Sequence, residues 1–312
     1  MKVVYHKGLT FGSRFLNLFH PFEFDRAERA AALIRERLGS DFDSIVVSPA
    51  QPVGLSDLAL VHDERYLDAL GKGSTIARVV EVPFLSLFPR SWLDGWFLTP
   101  ARWSVACTVF AAQAALSEGF ALSLGGGFHH AKRHGGEGFC LVNDVAYAIE
   151  TLRRTHGWGN EEKLLYLDLD VHQGNGVSDY YQDDAGVRIL DLYNQEIYPV
   201  YGERLPQEWA KPLPTGCDDK SYLEELTDSL DEFVSQAGAK LLIYNAGTDV
   251  FEEDRLGGFK LTRNGVRIRD LHVIKAAKRA GLPLLVLASG GYSKASAELL
   301  ADCVEAAYRE WN

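Results

Sequence analysis

The stretch Lys163-Leu164-Leu165-Tyr166-Leu167-Asp168-Leu169-Asp170-Val171-His172-Gln173-Gly174-Asn175 decides the fold. Residues 163–169 form an apolar run of strand length that then delivers Asp168, Asp170 and His172 at alternate positions. Burying such groups without partners costs several kcal/mol. Something must pair with them, and a divalent metal is the natural partner of Asp-x-Asp-x-His.

Other apolar runs flank this one and alternate with segments of helical spacing. Strands are expected at 3–5, 44–48, 121–124, 187–192, 240–245 and 283–288. Helices are expected at 25–38, near 66–70, from Pro100 to about 117, and at 142–154, 221–236, 263–280 and 293–309. The section 76–90 is apolar and irregular and takes no assignment. Continuous apolar strands separated by helices predict an α/β fold, a parallel sheet covered on both faces. Ligands of such sheets bind at the carboxyl ends of the strands.

Four strand ends then share one rim. Gly125-Gly126-Gly127-Phe128-His129-His130 follows one strand and Asp168 to His172 a second. Asn245-Ala246-Gly247-Thr248-Asp249 follows a third and Ser289-Gly290-Gly291-Tyr292 a fourth. Two carboxylates and one imidazole from Asp170, His172 and Asp249 suit catalytic Zn²⁺, with a coordination position left for water and substrate. Fe²⁺, Co²⁺ and Mn²⁺ share that ligand preference. His129 and His130 fit proton transfer near neutral pH. Each ring needs an orienting partner: Asp168 for His129, and Asn175, a neutral acceptor, for His130. Tyr292 offers a phenol to a developing oxyanion. Gly138-Phe139 and Tyr198-Pro199 read as walls of a narrow channel. The inferred chemistry is metal-assisted hydrolysis of an amide. Neither Gly-x-Ser-x-Gly nor a phosphate-binding glycine loop is present.

With 312 residues, 46% of them hydrophobic, the chain can build one large domain over 1–312. A net charge of −11 argues against general nucleic-acid binding, which needs a basic surface. Cys107, Cys140, Cys217 and Cys303 are too scattered for a thiolate zinc site or a disulfide framework. The start lacks a signal-peptide core, and no apolar run reaches the ~18 residues of a membrane span. A cytoplasmic protein without membrane contact is expected.

These residues resemble the zinc-dependent histone deacetylase family, which shares a fold with arginase, and most closely its class IV branch. The resemblance runs through His20-Pro21-Phe22, Val61-His62, Arg65-Tyr66-Leu67, residues 125–130, Gly138-Phe139-Cys140 and residues 168–176. It continues through Tyr193-Asn194, Ile197-Tyr198-Pro199, residues 244–249, Asp254-Arg255-Leu256-Gly257-Gly258 and residues 289–292. It implies a three-layer α/β/α architecture with a mainly parallel eight-stranded sheet. It also implies zinc on Asp170, His172 and Asp249, a proton-transfer pair in His129 and His130, and Tyr292 as carbonyl polariser. A potassium ion beside the zinc is implied too, on Asp168 and the backbone carbonyls of Asp170, His172 and Leu192, with Asp191 as a further contributor. The best-studied members carry aspartate where this chain has Asn175, an asparagine shared by class IV, so His130 is less favoured as a cation.

The expected substrate is an acylated lysine side chain of a protein or peptide, acetyl or longer. Leu256 stands at the pocket rim where a polyamine-selective enzyme would place a glutamate. Acetylpolyamine hydrolysis remains an alternative, as does a catalytically silent acyl-lysine binder. An arginase-like enzyme with two Mn²⁺ would need a carboxylate at Gly174. A haloacid-dehalogenase-like phosphatase leaves His129, His130 and Tyr292 unexplained. The apolar stretch 82–89 is expected to pack inside rather than flank the pocket.

Overall fold

The computed structural model describes residues 1–12, 21–199 and 209–311, so His20 lies outside the described residues. Eight strands form one sheet: β1 (Lys2–Val4), β2 (Val46–Val47), β3 (Phe120–Ser123), β4 (Lys163–Asp168), β5 (Val187–Asn194), β6 (Ala210–Leu213), β7 (Ala239–Asn245) and β8 (Leu284–Leu287). Their order is β2-β1-β3-β8-β7-β4-β5-β6, and every neighbouring pair is parallel. The expected sheet is therefore present and parallel throughout.

The helices are α1 (Arg26–Leu38), α2 (Phe42–Ile45), α3 (Glu64–Leu70), α4 (Gly73–Val79), α5 (Arg90–Leu93), α6 (Thr99–Glu118), α7 (Asp144–His156), α8 (Asn175–Tyr181), α9 (Asp219–Val234), α10 (Arg263–Arg279) and α11 (Ser296–Trp311). α1 and α10 both pack against α11, and α9 against α10, while α6, α7 and α8 pack in a second series. With helices on both faces, β3 and β8 are buried at every residue, which is why they are continuously apolar. None of these helices is long and apolar enough to cross a membrane.

Local chemistry sets the helix ends. Asp63, Asn143, Asp218 and Thr262 accept from the backbone N–H groups of Tyr66, Ala146, Ser221 and Gly265, capping α3, α7, α9 and α10. Gly119 ends α6 in the left-handed region that favours glycine, at φ 82°.

Register brings the site together. Ser123 pairs with Leu287, Leu287 with Asn245, Asn245 with Asp168, and Asp168 with Asp191. The four central strands thus end level, and the chain leaves each of them into the same rim. A second apolar cluster, including Phe24, Leu58, Tyr66, Leu85, Leu93 and Phe97, lies beside the main core. It absorbs much of the section 76–90, which becomes α4, a 3-10 turn at Pro83–Leu87 and the start of α5. Leu85 is buried there but Leu87 is 85% exposed, so the stretch 82–89 only partly follows the expected packing.

Candidate active site

The glycine turn after β3 is shaped by Asp144 at the first residue of α7. Its Oδ2 accepts from the Thr108 hydroxyl at 2.6 Å and the Gly127 N–H at 2.9 Å, and its Oδ1 from the Phe128 N–H at 2.7 Å. Gly127 has φ 83°, and a Cβ there would run into Asn245 and Ser289. Glycine is therefore required on both counts. The turn leads directly into His129 and His130, whose ring centroids lie 4.0 Å apart.

Each histidine has the partner expected of it. His129 Nδ1 lies 2.8 Å from Asp168 Oδ2, and His130 Nδ1 lies 2.7 Å from Asn175 Oδ1. The two environments differ in charge. Burial lowers the pKa of His129, but the Asp168 and Asp170 carboxylates outweigh it and raise the ring to about 9. His130 has no adjacent carboxylate; burial, then the charges of His129 and His172, hold it well below the ordinary histidine value. At neutral pH His130 is the neutral member of the pair.

Asp170, His172 and Asp249 are buried, and one ligand atom from each lies within 4.8 Å of the others. His172 Nδ1 is 3.1 Å from Asp170 Oδ1 and 3.3 Å from Asp249 Oδ2. Asp170 Oδ2 accepts from the Ser289 hydroxyl at 2.8 Å and the Gly290 N–H at 2.9 Å, and Asp249 Oδ1 accepts from the Val171 N–H at 2.9 Å. Asp249 Oδ2 has no hydrogen-bond partner among the described residues. A buried carboxylate oxygen left over after its sister is satisfied calls for a cation. Burial and the Asp170 charge raise Asp249 to about 7, whereas the cations of His129 and His172 hold Asp170 low despite burial. Two carboxylates and an imidazole fit a divalent metal, which would take the place of the proton that His172 otherwise holds.

Asp168 is fully engaged. Its Oδ2 also accepts from the Tyr166 hydroxyl at 2.7 Å, and its Oδ1 accepts from Asn245 Nδ2 at 3.0 Å and the Asp170 N–H at 3.1 Å. Asp191, within β5 and in register with Asp168, accepts the Gly174 N–H at 2.9 Å through Oδ2, while its buried Oδ1 has no partner among the described residues. Burial and the neighbouring Asp168 push its pKa well above the carboxylate range.

Two cavities meet at these groups. The mouth is lined by Gly138, Phe139, Tyr198 and Leu256, as expected, together with Glu81, His130, His172 and Tyr292. An inner cavity of about 70 Å³ continues past His129, His130 and Tyr292 to apolar side chains such as Phe11, Phe24 and Phe97. The Tyr292 ring stands edge-on to Phe139 at 5.9 Å and to His172 at 6.2 Å. Its backbone N–H donates to Asp254 Oδ2 at 2.7 Å, and burial followed by the charges of Asp249 and Asp170 keeps the phenol protonated.

Sequence reasoning gave no role to Asp144, Tyr166, Asn245, Glu81, Asp254 or Glu137, whose Oε1 accepts from Asn175 Nδ2 at 2.6 Å. Asn245 carried a signal as the last residue of an apolar strand, Asp254 lies in the stretch 254–258 that carries the resemblance, and Tyr166 stands two residues before Asp168 in the same strand. Asp144, Glu81 and Glu137 act through contacts between distant segments.

The histone deacetylase domain family matches residues 20–309. Histone deacetylase 2 of Arabidopsis thaliana is 34% identical over 310 residues, covering 98% of this chain and 78% of that protein. An uncharacterized protein of Picosynechococcus is 33% identical over 240 residues, 76% of this chain and 75% of its own. The HD domain of HDA15 has the same fold, with a TM-score of 0.75 at 20% identity over 100% of this chain and 90% of that structure.

Proposed function

The chain belongs to the histone deacetylase family, and from that premise we propose that it is a zinc-dependent lysine deacylase with a single catalytic domain over 1–312. The observation that carries the proposal is the convergence of Asp170, His172 and Asp249 within 4.8 Å beside two histidines held by different partners, Asp168 and Asn175. Asp170, His172 and Asp249 would hold the zinc, which supplies Lewis acidity toward the amide carbonyl and acidifies water.

The side chains then divide the remaining work. His130 is neutral, and its Nδ1–H donates to Asn175, so its Nε2 lone pair takes the proton from water and returns it to the departing amine. His129, held by Asp168, stays protonated and favours negative charge building up beside it. The Tyr292 phenol donates to the developing oxyanion. Gly138, Phe139, Tyr198 and Leu256 enclose the lysine stem and exclude water from the reaction.

The apolar inner cavity supports acceptance of acyl groups beyond acetyl, a preference that would place the chain in the class IV branch. Glu81 at the mouth favours a second reading, in which an acetylated polyamine presents a further cationic nitrogen. The unpartnered Oδ1 of Asp191 supports a monovalent cation, potassium, near Asp168 and the carbonyls of Asp170, His172 and Leu192. Four free, buried cysteines fit a reducing, cytoplasmic location. A panel of acetyl-, octanoyl- and myristoyl-lysine peptides with acetylpolyamines tests the reading. Turnover of the peptides is expected, and turnover of polyamines alone would replace the lysine assignment.

A further inference from the structure

Asn175 is a two-sided group, and Glu137 decides which side faces His130. A carboxylate only accepts hydrogen bonds. Glu137 Oε1 lies 2.6 Å from Asn175 Nδ2, so the amide nitrogen must point toward Glu137 and the amide oxygen toward His130 Nδ1, 2.7 Å away. An amide oxygen only accepts, which places a proton on His130 Nδ1. The lone pair is thereby left on Nε2, the ring nitrogen not engaged by Asn175. Asn175 is 2% exposed, so its amide is held by these two partners within the protein.

Glu137 has further partners. Lys132 Nζ lies 3.9 Å from the same Oε1, and the Tyr198 phenol shares the carboxylate while its ring stands edge-on to His130 at 5.0 Å. Glycines flank Glu137 in the sequence Gly136-Glu137-Gly138. A Cβ at Gly138 would run into the His130 ring, and Phe139 adopts φ 66°, so the backbone holds the carboxylate close to the relay.

We propose that Glu137 is a positioning residue for the hydrolytic reaction: through the amide of Asn175 it fixes the tautomer of His130 and supplies, one residue removed, the negative charge that an asparagine cannot. The inference rests on the functional reading above in assigning His130 to proton transfer. It makes Glu137 and Asn175 a single unit, in which a carboxylate placed directly at 175 would make Glu137 redundant.

The test combines kinetics on an acyl-lysine peptide with histidine ring ¹H–¹⁵N spectra of the zinc-loaded protein. Glu137→Ala is expected to lower kcat about tenfold with KM nearly unchanged, and Glu137→Gln, which keeps an acceptor without the charge, about threefold. In an Asn175→Asp background the further change Glu137→Ala should cost nothing. Equal losses in both backgrounds, or a Glu137→Ala enzyme within about twofold of wild type, would overturn the inference. So would a Tyr198→Phe variant that reproduces the whole fall in kcat, because Glu137 would then act through the mouth. The spectra stand apart from activity: wild type should show His130 protonated at Nδ1 alone, and Glu137→Ala a mixture of tautomers. If no substrate is turned over, the functional reading fails while the spectra still decide the role of Glu137. An unchanged single tautomer in Glu137→Ala contradicts it.

Discussion

Arg269 Nη1 donates to the backbone carbonyl of Gly247 at 2.7 Å, joining α10 to the loop that carries Asp249. The same nitrogen reaches the carbonyl of Leu169 at 3.2 Å, next to Asp170. One buried guanidinium therefore spans both loops that deliver the proposed metal ligands, and its charge is balanced by Asp270 at 2.8 Å. Breaking such a pair from one side leaves a buried charge without compensation. Arg269→Leu is expected to lose about 3–5 kcal/mol of unfolding free energy in urea melts. A loss below about 1 kcal/mol would show that the guanidinium does not hold the loops.

Gly290 is required by close approach, not by backbone conformation. A Cβ there would run into Asp249 Oδ2 and Asp170 Oδ2, oxygens of the two carboxylates in the proposed metal triad. Gly290→Ala should weaken zinc about tenfold or more in competition with a chelator, while the far-ultraviolet circular dichroism stays native. Unaltered zinc affinity would place the metal elsewhere.

His62 makes stability fall on mild acidification. Its Nδ1 donates to the Lys132 carbonyl at 3.0 Å and its Nε2 accepts the Asn143 N–H at 3.0 Å, so the neutral ring is the one that fits. Burial is the main cause that lowers its pKa to about 4. The unfolded chain, titrating near the ordinary value of about 6.5, then binds more protons than the folded one between those limits. The stabilisation is complete above about pH 6.5 and decreases as pH falls toward 4, by up to about 3 kcal/mol. The chemical-denaturation midpoint of wild type should drop more steeply between pH 7 and 5 than that of His62→Gln. Parallel slopes would remove His62 from the account.

Tyr292→Phe keeps the ring that packs against Phe22 and Phe139 and removes only the donor. Loss of one oxyanion donor is expected to lower kcat by about 10²–10³ with zinc content retained. A variant with wild-type kcat would assign the oxyanion to other groups.

How much of this was legible in the sequence follows from the range of the forces involved. The apolar runs of β3, β4, β7 and β8 announced a covered parallel sheet because burial on both faces leaves an unbroken pattern. The polar residues at their ends then located the rim. β6 gave no such signal: Ala210–Leu213 is an edge strand, incompletely buried, and contains Pro212. At 44–48 only Val46 and Val47 are strand, because Ser44 and Ile45 close the short helix α2. α8, the turns of 76–90 and Glu137 depend on tertiary contacts that no local periodicity encodes. The His129–Asp168 and His130–Asn175 pairs were readable since each partner lies in a polar motif that a strand could bring to the same rim.

If Asp170, His172 and Asp249 hold one catalytic cation, hydrolysis of an acetyl-lysine peptide before and after chelation will report it. Activity is expected to disappear with the metal, to return with one equivalent of zinc, and never to appear in Asp249→Ala. Full activity of the metal-free protein would contradict that assignment.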